Sequence, residues 1–116
     1  VDAAAYTAVS AAYKLPKDDP GRGPAIDRAL VGAAAVPLMV AQLAAGVLSL
    51  ADEVGRIGNK NARSDAHVAG GLARAAVAGA LENVRVNLGA LANPTLGTEL
   101  AAHAEQLGRA VATPPS

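Results

Sequence analysis

Three polar side chains are the strongest candidates for chemistry in this 116-residue sequence: Asp65, Asn83 and Asn87. A carboxylate can pair with a cationic ligand, and each carboxamide offers both a donor and an acceptor. At about 100° per residue they fall on one stripe of a helix, with only apolar or small residues between them. That stripe comprises Asp65, Ala69, Leu72, Ala76, Gly79, Asn83 and Asn87. It can receive a second helix at close range, or it can floor a pocket for a flat polar ligand.

Each of these polar residues also has a structural interpretation. Ser64 and Asp65 are typical of a helix start, where a serine caps the first turn and an acidic residue opposes the helix dipole. The functional alternative is that Asp65 faces a pocket and binds a cationic substrate, and the spacing does not decide between the two. Asparagine is a poor helix-interior residue, so Asn83 and Asn87, one turn apart, indicate binding either to another helix or to a ligand.

The remaining polar residues give weaker signals. His67 and His103 share no metal-ligand spacing and have no flanking carboxylate cluster, so we predict no metal site. Asn59, Lys60, Asn61 and Arg63 form either a solvated connector or a binding site for an anion or carbonyl beside the positive end of a helix.

Composition excludes several functional classes. The formal net charge is zero, with 10 basic and 10 acidic residues, and only 2% of residues are aromatic. We therefore predict no nucleic-acid partner, since nucleic-acid binding needs basic patches or stacking rings. The sequence has no cysteine, which excludes disulfides and thiolate metal sites and fits a reducing compartment, so we expect a cytoplasmic protein.

The uncharged segment from Ala29 to Ala51 is long enough to span a bilayer. Its alanine and glycine content, and its interruption by Pro37, Gln42 and Ser49, favour a buried helix instead. We therefore expect no membrane partner.

The segments that must position these side chains all have helical patterns. A first helix reaches Tyr13, and the proline- and glycine-rich stretch Lys14 to Gly23 is a loop. A second helix starts at Pro24 and is expected to kink or split at Pro37. After a turn from Gly55 to Arg63, the long helix runs from Ser64 to Leu91 and stops before Asn93 and Pro94. A last helix covers 95–112, with its inward face formed by Leu96, Leu100, Ala104, Leu107 and Val111.

The sequence thus predicts one all-α domain, a bundle of four to five helices joined by short connections. Its core must be built from small aliphatic side chains, because phenylalanine and tryptophan do not occur. Such side chains bury little area each, so these helices must either pack closely or pair with another subunit.

Two strings resemble a known family. The first is GNKNARSDAHVAGGLARAAVAGALENVRVNL, from Gly58 to Leu88, which carries the GN, SDA, GA and NVxxNL pattern in order. The second is AAYKLPK, from Ala11 to Lys17, followed by Arg22, Ile26, Ala29, Val36 and Pro37. Both are similar to the cyclodeaminase domain of formiminotransferase-cyclodeaminase and to its single-domain relatives, the methenyltetrahydrofolate cyclohydrolases.

This resemblance implies an all-helical dimer that acts on a tetrahydrofolate derivative without a metal or bound cofactor. The implied reactions are hydrolysis of 5,10-methenyltetrahydrofolate to 10-formyltetrahydrofolate and cyclodeamination of 5-formiminotetrahydrofolate. We infer the residue roles from charge and geometry. Asp65 would be the catalytic carboxylate, Asn83 and Asn87 would orient the pterin or the one-carbon unit, and Lys14, Lys60 or Arg63 would bind the glutamate tail. The full set of predicted substrate-binding residues is Lys14, Asn59, Lys60, Arg63, Ser64, Asn83 and Asn87.

The family's glycine-rich PGGGS opening, its alanine-rich helix and a further helix have no counterpart in this sequence. We therefore expect residues 1–116 to correspond to the C-terminal two-thirds of the usual domain, either clipped from a longer parent or shortened. A shortened relative leads to the alternative hypothesis, a non-catalytic helical interaction or assembly module built on this scaffold.

Overall fold

The computed structural model describes residues 3–112, and these residues form four α-helices and no strand. The helices are α1 (Ala3–Tyr13), α2 (Arg22–Ile57), α3 (Lys60–Gly89) and α4 (Thr98–Ala112), with a 3-10 turn at Pro94–Gly97. The prediction of an all-α bundle is therefore confirmed. Val1, Asp2 and the predicted frayed end at residues 113–116 lie outside the described residues.

A long antiparallel hairpin of α2 and α3 dominates the molecule. The two helices have 36 and 30 residues, or about 54 and 45 Å at 1.5 Å per residue. The described residues measure 64 × 25 × 13 Å along their principal axes. In so flat a molecule, each long helix can bury only part of its circumference.

The main core lies where α4 covers the hairpin. It contains two fully buried valines, Val77 and Val84, among alanines and leucines. Its members are Ala34, Leu38, Ala41, Val77, Ala80, Leu81, Val84 and Ala104. Small residues let α2 and α3 approach closely. A Cβ added at Gly70 would already lie 3.6 Å from a methyl carbon of Leu48.

A second, smaller core joins α1 to the start of α2. It consists of Ala12, Ile26, Leu30 and Leu91. Arg22 reinforces this junction, because its guanidinium donates to the carbonyl of Tyr13 at 3.2 Å and lies 5.7 Å from the centre of that residue's ring. These contacts hold α1 across the first half of α2.

The turn between α2 and α3 is shorter than predicted. The prediction of a turn from Gly55 to Arg63 is wrong, because α2 continues to Ile57 and α3 begins at Lys60. Asn59 is the N-cap, and its side-chain oxygen accepts from the amide of Ala62 at 2.9 Å. The predicted capping role of Ser64 is therefore also wrong.

Gly58 is needed in this turn because the backbone folds tightly there. A Cβ at this position would lie 2.7 Å from the carbonyl oxygen of Val54 and 2.9 Å from the Cβ of Ala62. Both distances are shorter than real Cβ contacts, so a larger residue would force the backbone to move.

Pro37 does not divide α2, so the predicted split is wrong. The helix continues through the proline. Ala34 before the proline and Leu38 and Ala41 after it are all buried, and their packing outweighs the lost backbone bond. Since proline has no N–H, the carbonyl of Ala33 still lacks its i+4 donor. Pro24, predicted at the first helical position, is the third residue of α2.

The chain between α3 and α4 differs from the single helix predicted for 95–112, because Pro94–Gly97 forms a 3-10 turn first. Leu96 is 50% exposed, so its predicted inward position is wrong, whereas Ala104 is buried as predicted.

The connection between α3 and α4 is held by Asp27 of α2, which is 4% exposed. Its two carboxylate oxygens accept from the amides of Ala92 and Asn93 at 2.9 and 3.0 Å.

Among residues 3–112, α2 is the one helix with the length and apolar composition needed to cross a membrane. Only 22% of its most apolar window is buried within the chain. The predicted buried helix is therefore buried on one face, and its other face is exposed.

Candidate functional site

A pocket of about 480 Å³ opens between α1, α2 and α3. Its walls are mainly alanine, valine and proline, with polar groups from Tyr6, Asn83 and Asn87. The lining residues are Ala5, Tyr6, Val9, Ala33, Val36, Pro37, Val40, Ala76, Ala80, Asn83 and Asn87. This volume lies within the range of about 300–1,000 Å³ that is usual for small-molecule sites.

Helical periodicity places these residues on common faces. On α3 the lining positions 76, 80, 83 and 87 follow i, i+4, i+7 and i+11, and on α2 the positions 33, 36, 37 and 40 follow i, i+3, i+4 and i+7. Ala76 and Ala80 leave space that larger side chains would fill. Three residues of the stripe predicted from the sequence, Ala76, Asn83 and Asn87, thus line the pocket.

The polar groups of the pocket are concentrated around the two asparagines. The Asn87 amide nitrogen donates to the carbonyl of Asn83 at 3.0 Å, which fixes the orientation of that amide. The side chain of Asn83 makes no hydrogen bond to another described residue and is exposed. Ala33, whose carbonyl Pro37 deprives of its helical donor, belongs to the opposite wall. The pocket therefore offers amide donors and acceptors on an apolar floor.

No charged side chain from the described residues lines this pocket. Ser64 and Asp65 are exposed in the first turns of α3. Asp65 precedes Asn83 by 18 residues of the same helix, a separation of about 27 Å. Within one chain, the structure therefore brings Asn83 and Asn87 together and leaves Asp65 apart.

Arg63 lies in a second cavity of about 740 Å³, between the end of α2, the start of α3 and the end of α4. Asp52, Arg56, His67 and Arg74 also line it. Arg74 donates to the carbonyl of Val111, and within residues 3–112 neither Arg56 nor Arg63 has an ion-pair partner. This groove carries an excess of positive charge.

The other predicted binding residues lie apart from both cavities. Lys14 is exposed in the loop after α1, and Lys60 is exposed at the first position of α3. The side chain of Asn59 is used in capping that helix. The sequence did not predict the contributions of Tyr6 and Val9, because nothing local indicates that α1 crosses the α2–α3 groove.

Comparison with known proteins identifies a family and a curated relative. The model of a family described as "Formiminotransferase-cyclodeaminase" matches residues 1–106. A protein of Sus scrofa named "Formimidoyltransferase-cyclodeaminase" is 40% identical over 91 residues, which cover 75% of this chain. The chain spans 17% of the length of that curated relative. The family match includes every residue of the pocket.

Proposed function

The chain belongs to the formiminotransferase-cyclodeaminase family, and on this premise we propose that it acts on a tetrahydrofolate derivative in one-carbon metabolism. The proposed reaction is hydrolysis of 5,10-methenyltetrahydrofolate to 10-formyltetrahydrofolate or cyclodeamination of 5-formiminotetrahydrofolate. The proposal includes a homodimer in the cytoplasm, with no metal and no bound cofactor.

The observation that carries this proposal is the pocket with its two carboxamides. A pterin ring is flat, and its edge presents hydrogen-bond donors and acceptors. Alanine and valine walls accommodate the ring faces, while Asn83, Asn87 and the carbonyl of Ala33 supply partners for the edge. Tyr6 at the pocket wall, 69% exposed, provides an aromatic surface for the aminobenzoyl part of the ligand.

Both candidate reactions pass through a tetrahedral one-carbon centre. In cyclodeamination, the folate N10 adds to the formimino carbon, and the carbon–nitrogen bond to the leaving ammonia then breaks. In hydrolysis, water adds to the methenyl carbon, and the bond from that carbon to N5 breaks. A carboxylate close to the cationic centre stabilises it and accepts or returns a proton. We assign this role to Asp65. Because Asp65 lies about 27 Å from Asn83 within one chain, the proposal requires that this carboxylate comes from the second copy of the homodimer. We assign the binding of the glutamate tail to Lys14, Lys60 or Arg63.

The proposal is tested by substituting Asn83, the pocket amide whose side chain makes no hydrogen bond to another described residue. We expect Asn83→Ala to lower kcat/KM for methenyltetrahydrofolate about 10–100-fold, because one or two hydrogen bonds to the ligand are lost. The rate is followed by the loss of methenyl absorbance above the spontaneous rate. Gln106→Ala, an exposed amide on α4, is the matched control and should be unchanged. An unaltered kcat/KM in Asn83→Ala would remove the pocket from the mechanism.

The alternative function is a non-catalytic helical interaction module. Large exposed apolar side chains along α2, including Leu43 at 72% and Ile57 at 77%, favour it. Titration calorimetry with a folate analogue distinguishes the two proposals. Failure to bind the analogue, together with no turnover above the spontaneous rate, would favour the interaction module.

A further inference from the structure

The cavity that contains Arg63 carries more positive than negative side chains. This cavity of about 740 Å³, here called the arginine groove, is lined by Arg56 of α2 and by Arg63 and Arg74 of α3. Asp52 is the one acidic residue in its described lining. The two salt bridges within residues 3–112 lie outside the groove, on the exposed surfaces of α3 and α4. Three arginines against one aspartate therefore leave an excess of two positive charges.

The N–H donors of these arginines are available to a ligand. Arg74 is half-buried, and its guanidinium donates to the carbonyl of Val111 near the end of α4. That bond orients the side chain and occupies one of its five N–H groups. Arg56 lies in the last turn of α2, where its charge opposes the helix dipole without using a donor. Neither Arg56 nor Arg63 is ion-paired with a described residue, so both guanidinium groups can turn toward a bound anion.

Small residues keep the arginine groove open between α2 and α3. Gly55 and Gly71 line it, and a Cβ added at either position would meet no neighbouring group within 4 Å. On α3, the lining positions 63, 67, 70 and 74 are separated by steps of four, three and four residues, so they share one helix face. This face presents guanidinium groups at Arg63 and Arg74 and an imidazole ring at His67, with a glycine between them. The groove can therefore admit a ligand that contacts both helices.

The arginine groove and the pocket lie on opposite sides of α3. Arg63 is two positions from Asp65, and Arg74 is two positions from the pocket residue Ala76. Two positions of an α-helix correspond to about 200° of rotation, so both arginines point away from the stripe that contains Asp65 and Ala76. A ligand in the groove is therefore separate from a ligand in the pocket of the same chain.

We propose that the arginine groove binds a small anion with two negative charges. Such an anion matches the charge excess of the groove. The planar guanidinium group presents paired N–H donors that fit the oxygens of a phosphate or a carboxylate. The ligand therefore carries either one phosphate group or two carboxylates. It would join α2 to α3 and, through Arg74, to the end of α4. This inference does not depend on the proposed folate reaction.

Titration followed by nuclear magnetic resonance tests the site. Inorganic phosphate and succinate are added separately to the isotope-labelled chain at slightly alkaline pH, with sodium chloride at matched ionic strength as the reference. We expect one or both dianions to shift the amides of Gly55, Gly70 and Gly71 saturably, with a dissociation constant of about 1 mM or lower. Gly32 and Gly79, which lie outside the groove, should not respond. A response to one dianion alone supports the proposal and identifies the ligand class. Equal saturation by chloride, or no saturation by about 20 mM of either dianion, would overturn the proposal.

Charge variants test the arginine groove in both directions. Arg63→Gln should weaken dianion binding about five- to twentyfold, because charge-assisted hydrogen bonds are lost. Asp52→Asn should strengthen binding about three- to tenfold, because a repelling charge is removed, and misfolding cannot produce such a gain. The matched controls, Arg85→Gln and Glu53→Gln, change exposed charges that do not line the groove, so they should bind as the wild type does. Unchanged affinity in both Arg63→Gln and Asp52→Asn would overturn the assignment of these residues to the site.

Folic acid, which carries a glutamate of its own, separates this site from the proposed folate pocket. We expect folic acid to shift the amides of Asn83 and Asn87 and to leave the dianion affinity of the arginine groove unchanged. Displacement of the dianion by folic acid would assign the groove to the glutamate tail and overturn the separate site. No response to folic acid, together with saturable dianion binding, would contradict the proposed folate function and support the arginine groove.

Discussion

The buried carboxylate of Asp27 permits the sharpest test of how the fold is held. It is 4% exposed, and its two oxygens accept from the consecutive amides of Ala92 and Asn93. Asp27→Asn preserves the shape of the side chain. The substitution replaces one acceptor oxygen with an NH2 group that faces a backbone N–H, so one of the two hydrogen bonds is lost. The remaining hydrogen bond is then made to a neutral amide oxygen instead of a charged carboxylate oxygen.

The size of the effect follows from these two bonds. A hydrogen bond to a charged group contributes about 1.5–3 kcal/mol, so the pair contributes about 3–6 kcal/mol at most. Water can replace part of this, because Ala92 and Asn93 are themselves exposed. We expect Asp27→Asn to lower the free energy of unfolding by about 2–3 kcal/mol, a large share of the stability of a domain of this size.

The assay is urea unfolding followed by far-ultraviolet circular dichroism, at one fixed protein concentration. Asp18→Asn changes an exposed aspartate in the loop before α2 and should stay within about 0.5 kcal/mol of wild type. Hydrogen exchange at the amides of Ala92 and Asn93 should accelerate in Asp27→Asn alone. A loss below 0.5 kcal/mol, or unchanged exchange at both amides, would refute the idea that this carboxylate holds the end of α3 to α2.

Three further predictions concern the hairpin. Gly58→Ala should destabilise the fold by about 1–3 kcal/mol, because the new Cβ would lie 2.7 Å from the carbonyl oxygen of Val54. Gly55→Ala has open space at the Cβ position and should stabilise the fold by about 0.5–1 kcal/mol. Equal unfolding midpoints of the two variants would contradict this prediction. Asn59→Ala should cost about 1 kcal/mol in the same urea assay by removing the cap of α3, and a cost near zero would show that the cap is dispensable. Pro37→Ala should raise the unfolding midpoint, because it restores a helical hydrogen-bond donor to the carbonyl of Ala33. The same variant should weaken binding of a folate analogue, measured by calorimetry. An unchanged affinity would show that the carbonyl of Ala33 does not bind the ligand.

The helical class and the common face of Asn83 and Asn87 could be predicted from the sequence. Residues without strand alternation, rich in alanine and leucine, favour helices through local backbone preferences. Asn83 and Asn87 share a face because the helical repeat is local as well. The family resemblance was likewise carried by contiguous strings, and the family match confirms it.

Only the tertiary structure decided where helices continue and which faces are covered. Local rules predicted a turn from Gly55 and a kink or split at Pro37, but α2 continues as one helix to Ile57. The packing of Leu38, Ala41 and Ala51 keeps this helix continuous, since burial outweighs one missing backbone bond. The crossing of α1 over the hairpin, which makes a pocket from the α3 stripe, depends on contacts between residues distant in sequence. Asp65 lies on the same stripe as Asn83 but about 27 Å away. A helix fixes the direction of its side chains and also the distance between them, so a common face does not bring these two residues together.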